Sequence, residues 1–220
     1  MKTKTPTLSH GLSVVPANRA AIPGPRWPGR LLVVILALGA GEVGAHSFQV
    51  GFLAPMSGPQ AGSAKQALDG FMLATTERDS HPDEHSDGHL GGLDVYVRLV
   101  DTAQPVDVTR RLLRQMVREQ QVEVMTGVTT AKLVEIVRQE LAGTPAVLLA
   151  VDESRFNADD RADPAFEAAF RTEFGHSPSR AARLGYCIAQ TIERAVRALG
   201  GDFSDPDRLA ALFGEVGCRQ

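Results

Sequence analysis

The densest run of chemically competent side chains is Asp79-Ser80-His81-Pro82-Asp83-Glu84-His85-Ser86-Asp87-Gly88-His89. His81, His85 and His89 recur every four residues, with Asp83, Glu84 and Asp87 between them. Imidazoles and carboxylates in that number are competent ligands for zinc, copper or nickel. Pro82 and Gly88 interrupt a continuous helix, so the spacing alone does not stack the three rings on one face. A solvated polar loop that picks up metal adventitiously accounts for the same residues.

A second set is dispersed along the chain. Ser57, Thr102, Thr129, Thr130 and Asp152 each follow a short apolar run. Hydroxyls beside the unpaired N–H groups of a helix start suit a small carboxylate or another polar group. Each is equally an ordinary helix cap, and one residue can fill both roles. Enzymatic and cofactor motifs are missing around them. The turn Met56-Ser57-Gly58-Pro59-Gln60-Ala61-Gly62 has neither a dinucleotide-binding glycine pattern nor a phosphate loop. No G-x-S-x-G elbow occurs, and no histidine completes a hydrolase triad with Ser57. The sequence therefore points away from an enzyme and calls for no cofactor.

The elements that must position these residues follow from periodicity. Phe48 to Ala54, Leu93 to Val100, Val122 to Gly127 and Pro145 to Val151 have the length and composition of strands. Between them, Ala64, Ala67, Leu68, Phe71, Met72 and Ala74 recur at helical spacing, predicting a helix from Gln60 to about Arg78. Val108, Leu112, Leu113, Met116 and Val117 give the core face of a second helix, capped by Asp101 to Gln104. Leu133, Ile136, Val137 and Leu141 give that of a third. Residues 79–92 are expected to form a loop. The order β-α-β-α-β-α-β predicts an α/β fold, a parallel sheet sandwiched between helices. In such a sheet, Ser57, Thr102, Thr129, Thr130 and Asp152 share the carboxyl edge, where ligands bind. The histidine run falls on the opposite edge. After Val151 the strand rhythm stops, and helices are predicted over 164–174, 178–199 and 205–213, with Gly175 and Gly200-Gly201 as C-terminal stops.

The first forty-five residues differ in character. Basic, Pro/Gly-rich sequence leads to the apolar stretch Leu31–Leu38, then to small residues ending Val43-Gly44-Ala45. That is the pattern of a cleaved export signal over residues 1–45, placing the mature chain in the periplasm. The segment holds five basic residues and one acid, leaving 18 basic against 25 acidic beyond it, a net charge of −7. So acidic a chain repels phosphate backbones, which excludes nucleic acid as a partner. Cys187 and Cys218 are the two cysteines of the 220-residue chain. In an oxidising compartment they can pair; otherwise Cys187 is a small helix-face residue and Cys218 a tail thiol.

Several of these segments, in order, resemble a known family. Phe48–Pro59 with its helix, Gly91–Gln104, Val122–Ala131 and Thr144–Val151 are similar to the first lobe of leucine-binding, branched-chain amino acid ABC-transporter substrate-binding proteins. Ala165–Phe170, Phe174-Gly175-His176-Ser177-Pro178, Leu184-Gly185-Tyr186 and Gly200-Gly201-Asp202 resemble that family's tail. The resemblance implies a two-lobed clamp that closes on a small polar solute such as an amino acid and delivers it to a membrane permease. It implies ligand contacts at Ser57, at Thr129 and Thr130, and at Ala150 to Asp152. It also divides the chain into a first lobe over 46–152, a junction at 153–163 where the second lobe is absent, and a helical part over 164–220 packing on the first lobe. With one lobe, half a site remains, so a second subunit is expected to cover it. Asp152 and Glu153 depart from the small or hydroxyl residues of the family and would repel an amino acid's carboxylate.

Overall fold

The run from Phe48 to Ala54 is apolar almost without interruption because it lies mid-sheet, covered on both faces. The computed structural model describes residues 47–77, 85–151 and 163–215. The expected export segment, His81, Asp152 and Cys218 lie outside them, as does most of the junction. The central strand is β1 (Ser47–Ala54), followed by α1 (Ala61–Thr76). A two-residue β2 (His89–Leu90) turns directly into β3 (Leu93–Asp101). Then come α2 (Val106–Glu119), β4 (Val124–Gly127), α3 (Ala131–Leu141) and a short β5 (Val147–Leu148). The chain closes with α4 (Pro164–Phe174), α5 (Arg180–Leu199) and α6 (Pro206–Glu215).

The sheet order is β2-β3-β1-β4-β5. The α/β class read from the sequence is the class observed, but the sheet is mixed and five-stranded rather than wholly parallel. β1, β3, β4 and β5 are parallel, whereas β2 runs antiparallel to β3 with His89 opposite Asp94 and Leu90 opposite Leu93. The physical reason is Gly91-Gly92. Both residues take positive φ, 66° and 89°, which is what a two-residue hairpin turn needs. The end of the expected loop thus folds back as an edge strand.

Side chains alternate across the sheet and build two cores. Phe48, Val50, Phe52 and Ala54 face α1, α5 and α6, joined there by Ile188, Ile192 and Leu209. Leu53, Val100 and Met125 face α2 and α3, meeting Leu113, Met116, Ile136 and Val137. The C-terminal helices therefore complete the first layer. Ser179 caps α5 by accepting the Ala182 N–H, and Gly200 ends it in the left-handed conformation. Asp163 caps α4 through the Ala165 N–H. Arg110 and Arg114 bind α2 to α3 through the Glu140 carboxylate, at 2.6 and 3.0 Å. Burial works against ionisation of Glu140, but the two guanidiniums outweigh it and hold the carboxyl below the usual range. Among the described residues no helix is long and apolar enough to cross a membrane.

Candidate functional site

The strand order reverses direction between β1 and β4. From β1 the chain leaves to α1 on one face, and from β4 to α3 on the other. Such a switch point opens a crevice at the carboxyl ends of the strands. Two local features shape it. Gly127 ends β4 with φ 123° and packs against the backbone of Leu53 so closely that a Cβ would overlap it. From there Val128 donates its N–H to the Leu53 carbonyl at 2.8 Å, carrying the next loop across the end of β1. On the other side, Asp101 gathers the neighbouring loop. Its carboxylate accepts the Met56 N–H at 3.0 Å, the Ala103 N–H at 2.9 Å and the Gln104 side-chain amide at 2.8 Å. The bond from Gln104, followed by those from Met56 and Ala103, holds the Asp101 carboxyl below the usual carboxylate range. Asp101 to Gln104 therefore do not cap α2, as periodicity suggested. Pro105 occupies that position, and Asp101 instead locks the loop after β1 onto the loop after β3.

Between these loops lies a cavity of about 220 Å³. Its rim carries Gln60, Thr102, Gln104, Thr129, Thr130 and Lys132. Pro55, Val106, Val128, Leu133 and Ile136 supply apolar wall, with Thr109 beside them. The starts of α1, α2 and α3 all border it, through Gln60, Val106 and Thr130. Each start adds unpaired N–H donors and a partial positive charge.

The sequence candidates divide at this point. Thr129 and Thr130 both line the cavity. Thr130 is at the same time the α3 cap, accepting the Leu133 N–H at 3.2 Å, and Thr129 donates to the Val151 carbonyl at 3.4 Å. Thr102 lines it as well. Ser57 and Ala150 are exposed and stand outside its walls. Asp152 is beyond the described residues. Sequence reasoning missed Gln104, Lys132 and the apolar wall from α2 and α3. It also gave Asp101 the wrong task. A lone acid directly after a strand, followed by Thr-Ala-Gln, was the available signal for an anchored turn.

Of the histidine run, His85 and His89 are among the described residues. His85 is exposed, while His89 directs Nε2 to Asp94 of β3 at 2.7 Å. Among the described residues no group of three or more His, Cys, Asp or Glu side chains is placed to hold a metal ion. Cys187 on α5 is disulfide-bonded; Cys218, its expected partner, lies outside the described residues.

No protein-family profile and no curated protein sequence matches the chain. Solved structures do match. A solute-binding protein of an ABC transporter from R. palustris, in complex with benzoate, superposes with TM-score 0.61 at 12% identity, over 76% of this chain and 85% of that one. The fold is that of an ABC-transporter substrate-binding protein. The branched-chain amino acid transporter substrate-binding protein LivJ from Streptococcus pneumoniae, in complex with isoleucine, gives TM-score 0.60 at 10% identity, over 77% and 88%. A substrate-binding protein from Sphaerobacter thermophilus gives TM-score 0.60 at 13% identity, over 76% and 85%.

Proposed function

We propose that this chain is an exported solute-binding component of ABC-type uptake that presents a small polar solute to a membrane permease. The observation that carries the reading is the cavity at the switch point, at the carboxyl edge of a substrate-binding-protein sheet, bordered by three helix starts. In this reading Thr129 and Thr130 hold the polar end of the solute, while Ser57 and Ala150, outside the cavity walls, meet it only where it extends beyond them, and Asp152 is a further candidate contact. The signal over residues 1–45 is removed at export, and Cys187 pairs with Cys218 in the oxidising compartment. The fold neighbours named for bound benzoate and isoleucine support a small organic solute as the class.

Affinity follows from what one lobe can offer. A helix start contributes about 0.3–1 kcal/mol to a bound anion, and each hydroxyl hydrogen bond about 0.5–1.5 kcal/mol. A Kd of 1 mM already needs about 4.1 kcal/mol. The isolated chain is therefore expected to bind in the millimolar range, and more tightly once a second subunit covers the crevice. Calorimetric titration with a panel of amino acids, organic acids and amides tests this. The expected result is weak binding that drops further when Ser57→Ala and Thr129→Ala are combined. Tight binding by a proven monomer, indifferent to that double substitution, would overturn the site.

A further inference from the structure

The cavity rim holds an amide whose orientation the protein itself dictates. Gln104 lines the cavity, and its Nε2 donates to Asp101 Oδ2 at 2.8 Å. The other carboxylate oxygen, Oδ1, accepts the main-chain N–H groups of Met56 and Ala103, at 3.0 and 2.9 Å. An ionised carboxylate only accepts hydrogen bonds, so the Gln104 amide cannot turn over without setting two oxygens against each other. The same donors that hold the Asp101 carboxyl below the usual range keep it ionised near neutrality. The main chain of Gln104 is tied as well, its carbonyl accepting the hydroxyl of the buried Thr109 at 3.4 Å. With Nε2 committed, Oε1 is the atom this side chain has left to offer, and it makes no hydrogen bond to a described residue.

Resting on the solute-binding reading above, we propose that Gln104 is a specificity-determining residue that demands a hydrogen-bond donor on the solute, with Asp101 as the positioning residue that fixes this polarity. An N–H or O–H that reaches Oε1 completes the bonding of the amide. A ketone or ether there sets lone pair against lone pair and leaves Oε1 desolvated without a partner. The selection acts at this one rim position and holds whatever the other walls carry. The two oxygens of Asp101 divide the work: Oδ1 holds the loops together, and Oδ2 sets the amide. Asp101→Asn therefore keeps both main-chain bonds on its remaining oxygen, while its new amide N–H stands where Oδ2 was. Gln104 must then turn over, accept that N–H through Oε1 and present Nε2 to the cavity. The substitution inverts the polarity without removing the anchor.

A matched pair reads the polarity: 4-hydroxypentanoate, whose hydroxyl donates, and 4-oxopentanoate, whose ketone only accepts, titrated into the full exported chain by calorimetry. The parent is expected to bind the alcohol about fivefold more tightly, the size of one neutral hydrogen bond. Gln104→Met should erase the difference. Asp101→Asn should bind the ketone at least as tightly as the alcohol, and more tightly than the parent does, a gain that a damaged loop cannot give. Heteronuclear NMR of the Gln104 side chain reads the clamp with no solute present. Its amide protons should exchange more slowly than those of a free glutamine in the parent, and lose that protection in Asp101→Asn. Equal binding of the pair by the parent, a ketone that gains nothing in Asp101→Asn, or an unprotected amide in the parent would each overturn the proposal while leaving solute binding intact. If other solutes bind but neither probe does, the amide protection in the two proteins decides. If no solute binds at all, the solute-binding reading itself falls and takes this one with it.

Discussion

The two faces of the sheet are built to opposite specifications. On one, α1 and α5 approach through small residues: Ala67, Gly70 and Ala74 against Ala182, Gly185 and Ala189, every one of them buried. A Cβ on Gly70 would overlap the Ala182 carbonyl, and one on Gly185 the carbonyl of Ala67. On the other face α2 buries only Thr109, Leu113 and Met116, its remaining side chains are largely charged or polar, and a cavity remains between it and α3. The first face has no slack, and the second keeps room beside the carboxyl edge. Packing at crystal-like density on one side fixes β1 and the start of α1. The helices of the other side can then frame a space without carrying the whole stability of the fold.

The strongest way to break this contrast is to add volume to the tight face. Gly70→Leu or Gly185→Val forces backbone, not a flexible side chain, to move. Each is expected to cost about 3 kcal/mol or more, at the upper end of overpacking effects. Lys132→Gln, on the open face, should leave stability within about 0.5 kcal/mol. Urea denaturation midpoints of the three variants test the pair of claims. Comparable losses at Gly70 and Lys132 would mean the two faces share the load.

A smaller effect is expected where the faces meet the site. Asp101→Ala removes the acceptor that joins the loop after β1 to the loop after β3, and should cost about 1–2 kcal/mol while weakening ligand binding. Because the folded carboxyl lies below its ordinary value near about 3.9, its contribution is complete above that pH. It is lost as pH falls through the lower, folded value. Asp101→Asn should remove this acid-side slope, as read by denaturation between neutral pH and the acid limit. A slope that survives Asp101→Asn would assign it to another carboxyl.

What could be read from the sequence tracks what is local. The long helices carry their own punctuation, Asp163 before α4 and Pro164 at its first position, Gly175 after it, Ser179 and Gly200 around α5, and these boundaries fall within about two residues of expectation. β1 announced itself as a buried run, and Thr129 and Thr130 were identifiable from their place after β4. The edge strand β2 was lost because two residues carry no period, although the Gly-Gly turn beside it was in plain view. The apolar side of the cavity was not legible. Its wall is assembled by Val106 and Ile136, thirty positions apart, whose packing partners only the tertiary structure decides. Leu99, apolar by alternation, is nevertheless 41% exposed.

The finest comparison is between two carboxylates at opposite ends of the same sheet. Asp101, at the carboxyl end, is ringed by donors. Glu123, at the amino end, is half-buried; burial pushes its carboxyl above the ordinary value, although it accepts the Gln49 N–H at 2.7 Å. Its neighbouring backbone is already engaged, with the Glu123 N–H on the Gln49 carbonyl at 3.1 Å and the Glu123 carbonyl taking the Val147 N–H at 2.8 Å. The side chain therefore adds one hydrogen bond at the cost of a partly desolvated charge. A raised folded value means the native state takes up its proton first as pH falls. Stability should rise on going down through that value and level off below the ordinary value of about 4.3, the reverse of Asp101. Glu123→Gln keeps an amide oxygen for the Gln49 N–H and discards the charge. It is expected to stabilise the fold at pH 7 by a few tenths to about 1 kcal/mol and to abolish the rise on acidification. Urea melts of the two proteins at pH 7 and pH 5 decide it. If the variant is less stable than the parent at pH 7, the charge-assisted bond to Gln49 outweighs the burial of the carboxylate, and the two ends of the sheet use their acids in the same way.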